Sequence, residues 1–237
     1  MTKLTEMNIW NGNSRGVTDI GWLKSLHSFS FGEFNDAERN GFRSLRVIND
    51  DVITGGSGFG THPHRDMEIL TWVLEGKIVH QDSMGTQGEL DPGDLQLMSA
   101  GTGIHHSEMN GLDDGPTRFL QIWIEPEVTG TSPEYQQRSF DPAGRADRWQ
   151  LIASPDARDG ALRIGQDVFV SVMKLSKGGV AVSEIAQGRS GYLHVAFGQV
   201  QVGDRKLAGG DAISFTGESA VEIVASEESE LLFFDLV

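Results

Sequence analysis

The chain has 237 residues, enough for one large domain or for two domains that each bury a hydrophobic core. Its 34 acidic and 19 basic residues give a formal net charge of −15 with no cluster of Lys or Arg, so nucleic acids and anionic membranes are not expected partners. Cysteine is absent, which excludes disulfides, thiolate metal sites and cysteine nucleophiles and leaves His, Asp and Glu to carry any chemistry.

The N-terminal sequence MTKLTEMNIW lacks the apolar segment of a signal peptide. No apolar run approaches the roughly 20 residues that a membrane-spanning helix needs. We therefore expect a cytoplasmic protein. The 30 glycines show no collagen-like period and read as turn residues between many short strands, which favours an all-β fold.

Short segments rich in β-branched and aromatic residues, bounded by turn residues, predict strands. They lie at residues 42–48, 67–76, 95–101, 117–124 and 168–175. Tight turns are predicted at residues 82–85 and at the Pro-Gly-Asp sequence of residues 92–94. This pattern is typical of antiparallel hairpins.

The strand pattern breaks between residues 125 and 149, where prolines and glycines accumulate. We place a domain boundary there, with an N-terminal domain at residues 1–130 and a C-terminal domain at 131–237. Segments 132–140 and 154–162 are interpreted as connectors with short helical turns, because neither has enough apolar periodicity to bury a helix face.

The two halves also resemble each other. The sequence WVLEGKIV followed by LDPGDLQLM in the first half parallels LHVAFGQVQV followed by LAGGDAISF in the second. This similarity predicts a duplicated β-barrel. Six of the seven histidines precede residue 107, so only the first copy would have kept them.

Two short histidine motifs predict a metal site in the first half. His62 and His64 stand two residues apart, which on a strand places both imidazoles on one face, about 6.6 to 7 Å apart. His106 and Glu108 repeat this spacing with a carboxylate. On neighbouring strands the four side chains would offer three nitrogen ligands and one oxygen ligand. A lone HxH pair is weak evidence, but HxH followed by HxE is much stronger; the alternative is a buried polar network.

Other candidate residues are interpreted as structural. His105 points away from His106 on a strand, His80 is expected to make a cross-strand polar contact, and His27 a hydrogen bond at the edge of the core. Several Met and Trp residues, Trp123 among them, could line an aromatic pocket but are interpreted as core.

Longer motifs resemble a known family. The spacing Gly56-x5-His62-x-His64-x3-Glu68-x7-Gly76 is similar to the first cupin motif, and Gly103-x2-His106-x3-Asn110 to the end of the second. Within cupins, GFGTHPHRDMEILTWVLEG, HQDSMG, PGDLQLMSAGTGIHHSEMN and FLQIWI resemble the pirin family. Together with HSFSFG, SLRVINDD and SPDARDG they resemble its bacterial branch, which has quercetin 2,3-dioxygenase activity.

The resemblance implies an all-β bicupin of two β-barrels, with one divalent transition metal held in the first by His62, His64, His106 and Glu108. Glu68 is the rival carboxylate, because many cupins use the glutamate of the first motif. Iron is the first expectation, but a site of three His and one Glu also accepts manganese, cobalt, nickel, copper or zinc.

The implied reaction opens a flavonol such as quercetin with O2 and releases CO, and Glu108 is the candidate base that takes the proton of the substrate 3-hydroxyl. A second hypothesis comes from the pirins of higher organisms, which act as metal-dependent partners of transcription regulators, so a protein partner is open. A third is an isomerase or a small-molecule-binding cupin, because fold alone does not set chemistry.

Overall fold

A computed structural model describes residues 6–217 and 219–237. Over these residues the chain forms 22 β-strands and four 3-10 helices and contains no α-helix. The strands are β1 (Glu6–Trp10), β2 (Gly16–Asp19), β3 (Leu23–His27), β4 (Leu45–Ile53), β5 (Gly58–His64), β6 (Glu68–Glu75), β7 (Ile78–Asp82), β8 (Gln87–Leu90), β9 (Asp94–Ser99), β10 (Ile104–Asn110), β11 (Thr117–Ile124), β12 (Glu134–Ser139), β13 (Gln150–Ser154), β14 (Leu162–Arg163), β15 (Val168–Leu175), β16 (Val180–Ile185), β17 (Ser190–Phe197), β18 (Gln199–Val202), β19 (Arg205–Ala208), β20 (Ala212–Thr216), β21 (Ser219–Ala225) and β22 (Ser229–Leu236). The 3-10 helices are Gly12–Ser14, Ala37–Arg39, Pro142–Gly144 and Arg158–Gly160. None of the helices in the described part of the chain is long and apolar enough to span a membrane.

The chain divides into two compact units. The N-terminal unit contains residues 16–140 and 164–166, and the C-terminal unit contains residues up to 15, 141–163 and 167–237. These ranges differ from the predicted division into 1–130 and 131–237 at two strands. β12 pairs with β9 in the N-terminal unit, and β1 pairs with β20 in the C-terminal unit. Pairing with strands that are distant in the sequence decides to which unit β12 and β1 belong. The local sequence does not encode this pairing.

The interpretation of segment 132–140 as a connector is wrong, because this segment contains β12. All six residues of β12 pair with β9, and their side chains are exposed or half-buried. A polar edge strand of this kind carries little apolar alternation, so its sequence resembles a loop. Segment 154–162 does contain the short helical turn Arg158–Gly160.

The N-terminal unit consists of two sheets. A seven-stranded sheet has the order β12-β9-β6-β11-β4-β3-β2, and a four-stranded sheet has the order β5-β10-β7-β8. All their pairings are antiparallel. Both sheets contribute to one hydrophobic cluster, which contains Leu23, Ile53, Val73, Ile78, Leu90 and Phe119. The apolar faces of the two sheets therefore share a core.

The C-terminal unit repeats this arrangement. Its seven-stranded sheet has the order β1-β20-β17-β22-β15-β13-β14, and its four-stranded sheet β16-β21-β18-β19. Its core draws on both sheets, for example Leu193 and Leu231 from the first and Val200 and Ile223 from the second. The glycines that carry the internal sequence similarity occupy equivalent turns: Gly76 and Gly198 follow β6 and β17, each with φ between 82° and 85°. This left-handed conformation is accessible to glycine at little cost. The all-β, two-barrel fold predicted from the sequence is confirmed.

Candidate metal centre

Strands β5 and β10 bring the predicted histidines together. The two strands are antiparallel neighbours, and His62 lies directly opposite His106 in their register. Nε2 of His62 lies 3.1 Å from Nε2 of His106. The ring of His64 has its centroid 4.8 Å from that of His62 and 4.9 Å from that of His106. The three histidines form one group whose candidate ligand atoms all lie within 4.8 Å of one another.

The alternating pattern of β10 explains why its functional side chains point inward. Ile104, His106, Glu108 and Asn110 are buried, whereas His105 is exposed, as expected for a period of two residues. The structural interpretation of His105 agrees with this exposed position. A register shift lies between His106 and Glu108 on the side that pairs with β5, so Glu108 pairs with Phe59 there.

Two of the three histidines, His64 and His106, are held in the neutral form. Burial, followed by the charges of the neighbouring imidazoles, lowers the pKa of His64 to about 4. The same two causes lower the pKa of His106 to about 3. Nδ1 of His62 donates a 2.8 Å hydrogen bond to the carbonyl oxygen of Gly60, which leaves the lone pair on Nε2. Neutral imidazole with a free lone pair is the form that binds a metal.

Glu108 lies in a dense set of hydrogen-bond donors. It is 1% exposed, and its Oε2 accepts a 2.7 Å hydrogen bond from the side-chain amide of Gln121. Its Oε1 accepts from the hydroxyl of Thr71 at 2.8 Å and from the amide of Gln96 at 3.2 Å. Three donors from three different strands therefore fix the orientation of this carboxylate.

These three donors were not predicted from the sequence, although a signal for them exists. Thr71, Gln96 and Gln121 each interrupt a buried apolar strand, in the sequences ILTWV, LQL and LQI. Thr71 is the register partner of both glutamine residues on the adjacent strands β9 and β11. A buried polar residue in the middle of an apolar strand needs a partner, and here that partner is Glu108.

His80 lies on the other side of Glu108. It pairs with Glu108 in the register of β7 and β10, and His80, His106 and Glu108 form a second group of candidate ligands within 4.8 Å. Nε2 of His80 lies 3.3 Å from the carboxylate of Asp82, and its ring stacks on Tyr135 at 4.6 Å between centroids. The predicted polar contact of His80 is thus made with Asp82 on the same strand instead of across strands.

Glu68, the rival carboxylate, is engaged elsewhere. It accepts a 2.8 Å hydrogen bond from the hydroxyl of Ser99 and a 3.3 Å hydrogen bond from the backbone N–H of Gly165. Burial raises the pKa of Glu68. Among the described residues it belongs to neither group of candidate ligands.

A cavity of about 630 Å³ opens in front of the histidines. His62, His64 and Glu108 form part of its wall. Its aromatic lining consists of Phe31, Phe34, Phe59 and Trp123. The interpretation of Trp123 as plain core is therefore wrong. Its ring meets that of His64 edge-on at 5.0 Å, so it lies beside the imidazole cluster.

Polar side chains of β3 and β4 complete the wall, and among them His27 makes the hydrogen bond that was expected at the edge of the core. Nδ1 of His27 lies 2.8 Å from Oδ1 of Asn49, and Nε2 lies 2.8 Å from the hydroxyl of Thr18. A cavity of this volume, apolar with a few convergent polar groups, is the usual form of a small-molecule site.

Comparison with known proteins decides the family. The family model for pirin matches residues 11–124, and the model for the quercetinase C-terminal cupin domain matches residues 151–236. A quercetin 2,3-dioxygenase of Escherichia coli (strain K12) is 47% identical over 224 residues, which cover 94% of this chain and 96% of that protein. A pirin-like protein of Caulobacter vibrioides is 40% identical over 221 residues, covering 93% and 95%. The chain belongs to the pirin family.

Solved structures of bacterial pirins have the same fold. YhhW from Escherichia coli superimposes on this pirin with a TM-score of 0.94 at 46% identity, covering 98% of both chains. A second structure, of bacterial pirin YhhW in complex with nickel(II), gives a TM-score of 0.92 at 45% identity and covers 98% of this chain and 99% of that one. The resemblance to pirins that the sequence motifs indicated is confirmed.

The donor set of this pirin fits a divalent transition metal. Two nitrogens bound to one ion at about 2.0 to 2.1 Å lie no more than about 4.2 Å apart, and the two Nε2 atoms of His62 and His106 meet this limit at 3.1 Å. Imidazole nitrogen together with carboxylate oxygen suits iron, nickel, copper, manganese, cobalt and zinc. The hydrogen bonds to His62 and Glu108 supply the outer contacts that metal-binding side chains normally have.

Proposed function

We propose that this pirin is a metal-dependent dioxygenase that opens flavonols such as quercetin with O2 and releases CO. One divalent metal would be held by His62, His64, His106 and Glu108. The observation that carries the proposal is a cluster of three imidazoles, two of which line an aromatic cavity of about 630 Å³ together with the hydrogen-bonded carboxylate of Glu108. When bound, the metal supplies a Lewis acid that stabilises a deprotonated substrate hydroxyl.

Glu108 is the base in this proposal. Its carboxylate lines the cavity and would take the proton of the substrate 3-hydroxyl, as a group within hydrogen-bond reach can. Thr71, Gln96 and Gln121 hold the carboxylate in one orientation before the substrate arrives. Catalysis benefits from such preorganisation because no reorientation is needed at the moment of proton transfer.

The aromatic lining suits the shape of a flavonol. Phe31 packs edge-on against Trp123 at 5.4 Å, and Phe59 packs edge-on against Trp22 at 5.3 Å. Rings held in this way form rigid walls for planar aromatic substrates.

Nickel, iron and the other divalent ions remain candidates for the metal. The nickel complex of the Escherichia coli pirin supports a divalent ion at this kind of site. Iron is our first candidate, because nitrogen and oxygen ligands with open positions suit oxygen chemistry on iron.

The test is turnover under oxygen. Protein loaded with each metal in turn should consume O2 and release CO in equal amounts when given quercetin. With labelled O2, both labelled oxygen atoms should appear in the ring-opened product. The CO should be unlabelled, because its carbon and its oxygen both come from the substrate. If no metal form yields CO above the rate of the free metal, the activity is excluded and metal-dependent binding of a protein partner becomes the hypothesis to pursue.

A further inference from the structure

Four polar residues form a strip along one wall of the cavity. Strand β3 contributes Ser25 and His27, and the adjacent strand β4 contributes Asn49 and Asp51. Ser25 lies opposite Asp51, and His27 opposite Asn49, in the antiparallel register. All four side chains are at most 3% exposed. Buried polar groups at a cavity wall cost stability unless they have partners, so the partners of each group matter.

Within this strip Asp51 differs from its neighbours. His27 and Asn49 are joined by a 2.8 Å hydrogen bond, and the Ser25 hydroxyl lies 3.3 Å from Nδ1 of His27. Oδ1 of Asp51, in contrast, is buried without a hydrogen-bond partner. A carboxylate oxygen only accepts hydrogen bonds unless it is protonated, so this atom lacks a donor.

The electrostatics of Asp51 agree with a missing donor. Burial raises the pKa of Asp51 to about 7, the Ser25 hydroxyl opposes this shift, and the charges of Glu108 and Asp50 add to it. The other acidic residues of the cavity wall, Asp19 and Glu33, are exposed and therefore hydrated. Asp51 and Glu108 are thus the acidic groups of this wall that are shielded from water.

Polyhydroxylated flavonols such as quercetin carry phenolic hydroxyls on their benzene rings in addition to the 3-hydroxyl, and each hydroxyl can donate one hydrogen bond. The proposed dioxygenase reaction uses the 3-hydroxyl, which Glu108 deprotonates. We propose that Asp51 accepts a hydrogen bond from a phenolic hydroxyl of the substrate and thereby makes this pirin selective for polyhydroxylated flavonols. The inference rests on the proposed function and names a specificity-determining residue for it.

The test measures binding instead of turnover. Nickel-loaded protein is titrated under nitrogen with quercetin and with a series of flavonols that each lack one hydroxyl. Above the pKa of Asp51, where its carboxylate is ionised, a hydrogen bond to this charged acceptor predicts that loss of the hydroxyl facing Asp51 weakens binding to the wild type by about 10- to 100-fold. In Asp51→Ala the same analogue and quercetin should bind within about twofold of each other, because the acceptor is gone.

Two further variants control the experiment. Asp50 is the adjacent acid on β4, but it forms a 2.8 Å ion pair with Arg118 and is not part of the cavity wall. Asp50→Asn should therefore keep the wild-type discrimination among the analogues. Asp51→Asn keeps the shape and an oxygen acceptor but loses the charge. Its discrimination among the analogues should therefore lie between those of the wild type and Asp51→Ala. If the alanine variant does not fold, Asp51→Asn takes its place in the test.

The possible outcomes separate the two proposals. If the wild type and both Asp51 variants discriminate equally among the analogues, the proposed role of Asp51 is overturned. The proposed function is not affected by that result. If neither quercetin nor any analogue binds the nickel-loaded wild type, both the proposed function and the role of Asp51 are overturned.

Discussion

Nε2 of His62 and Nε2 of His106 lie 3.1 Å apart across the pair of strands β5 and β10. Burial keeps the ring of His106 neutral, and the ring of His62 donates a hydrogen bond through Nδ1, so that Nε2 faces the other histidine. Two imidazole nitrogens at this distance can bind a single ion. The relationship depends on register, since a slip of one residue would turn one of the rings to the opposite face of the sheet.

The first prediction is that the protein binds one equivalent of transition metal per chain. The His62→Ala/His106→Ala double variant should lose the metal, because two of three nitrogen donors are removed. Elemental analysis after gel filtration measures this. His105→Ala is the matched control, since His105 adjoins His106 but is exposed on the other face. Two tightly bound equivalents, or metal retained by the double variant, would contradict the prediction.

The second prediction compares the two carboxylates. Glu108→Ala should weaken metal retention more than Glu68→Ala, because Glu108 lies within 4.8 Å of His106, whereas Glu68 is bonded to Ser99 and the Gly165 backbone. Competition with a chelator of known affinity measures the difference. Equal losses in the two variants, or a larger loss in Glu68→Ala, would favour the general cupin pattern of ligands.

Much of the fold follows from local sequence. The strands predicted at residues 117–124 and 168–175 have the same bounds in the structure as β11 and β15. The spacing of His62 and His64, and of His106 and Glu108, also selected side chains that lie close together in the structure: the three histidines within 4.8 Å of one another, and Glu108 within 4.8 Å of His106. These features depend on the two-residue period of a strand, which is visible within a short segment.

Strand β4 shows where local sequence fails. The predicted strand ends at residue 48 because Asn-Asp-Asp at residues 49–51 is typical of a turn, but β4 continues to Ile53. Asn49 bonds His27, Asp50 bonds Arg118, and Asp51 lies at the cavity. Partners from distant parts of the chain outweigh the local preference, and such conflicts are expected at functional sites.

The third prediction concerns stability in acid. In metal-free protein the pKa of His64 is about 4 and that of His106 about 3, whereas both titrate near about 6.5 in an unfolded chain. Below pH 6.5 the unfolded chain therefore binds more protons, so these histidines lower the free energy of unfolding as pH falls. The substitution His106→Gln removes the contribution of His106 to this loss of stability. The melting temperature of the variant minus that of the wild type should increase from pH 6.5 to pH 4.

Asp51 changes the free energy of unfolding in the opposite direction over part of the same pH range. Its pKa is raised to about 7, so the folded chain binds more protons there and stability falls as pH rises. Comparing the His106→Gln variant with the wild type at each pH cancels this contribution. A difference in melting temperature that stays constant between pH 6.5 and 4, measured by calorimetry with a chelator present, would contradict the third prediction.

The fourth prediction tests the donors around Glu108. Thr71→Val preserves the side-chain shape but removes the hydroxyl that donates to Oε1 of Glu108. Loss of such an outer contact should lower metal affinity by about 10- to 100-fold. Thr54→Val, which removes an exposed hydroxyl hydrogen-bonded to Ser57, is the control. Unchanged affinity in Thr71→Val would mean that its hydrogen bond does not position a ligand.

The last prediction separates the two roles of Glu108. Glu108→Gln keeps an oxygen that can bind the metal but cannot accept the proton of the substrate hydroxyl. Turnover of quercetin, measured as CO release per bound metal, should fall by about 10² to 10⁴-fold if this carboxylate is the general base. Metal content should fall much less. Glu68→Gln is the matched control, because Glu68 is equally buried yet bonded to Ser99, and it should keep most of the activity. Normal turnover in Glu108→Gln would place the base on another residue, while joint loss of metal and activity would reduce Glu108 to a ligand.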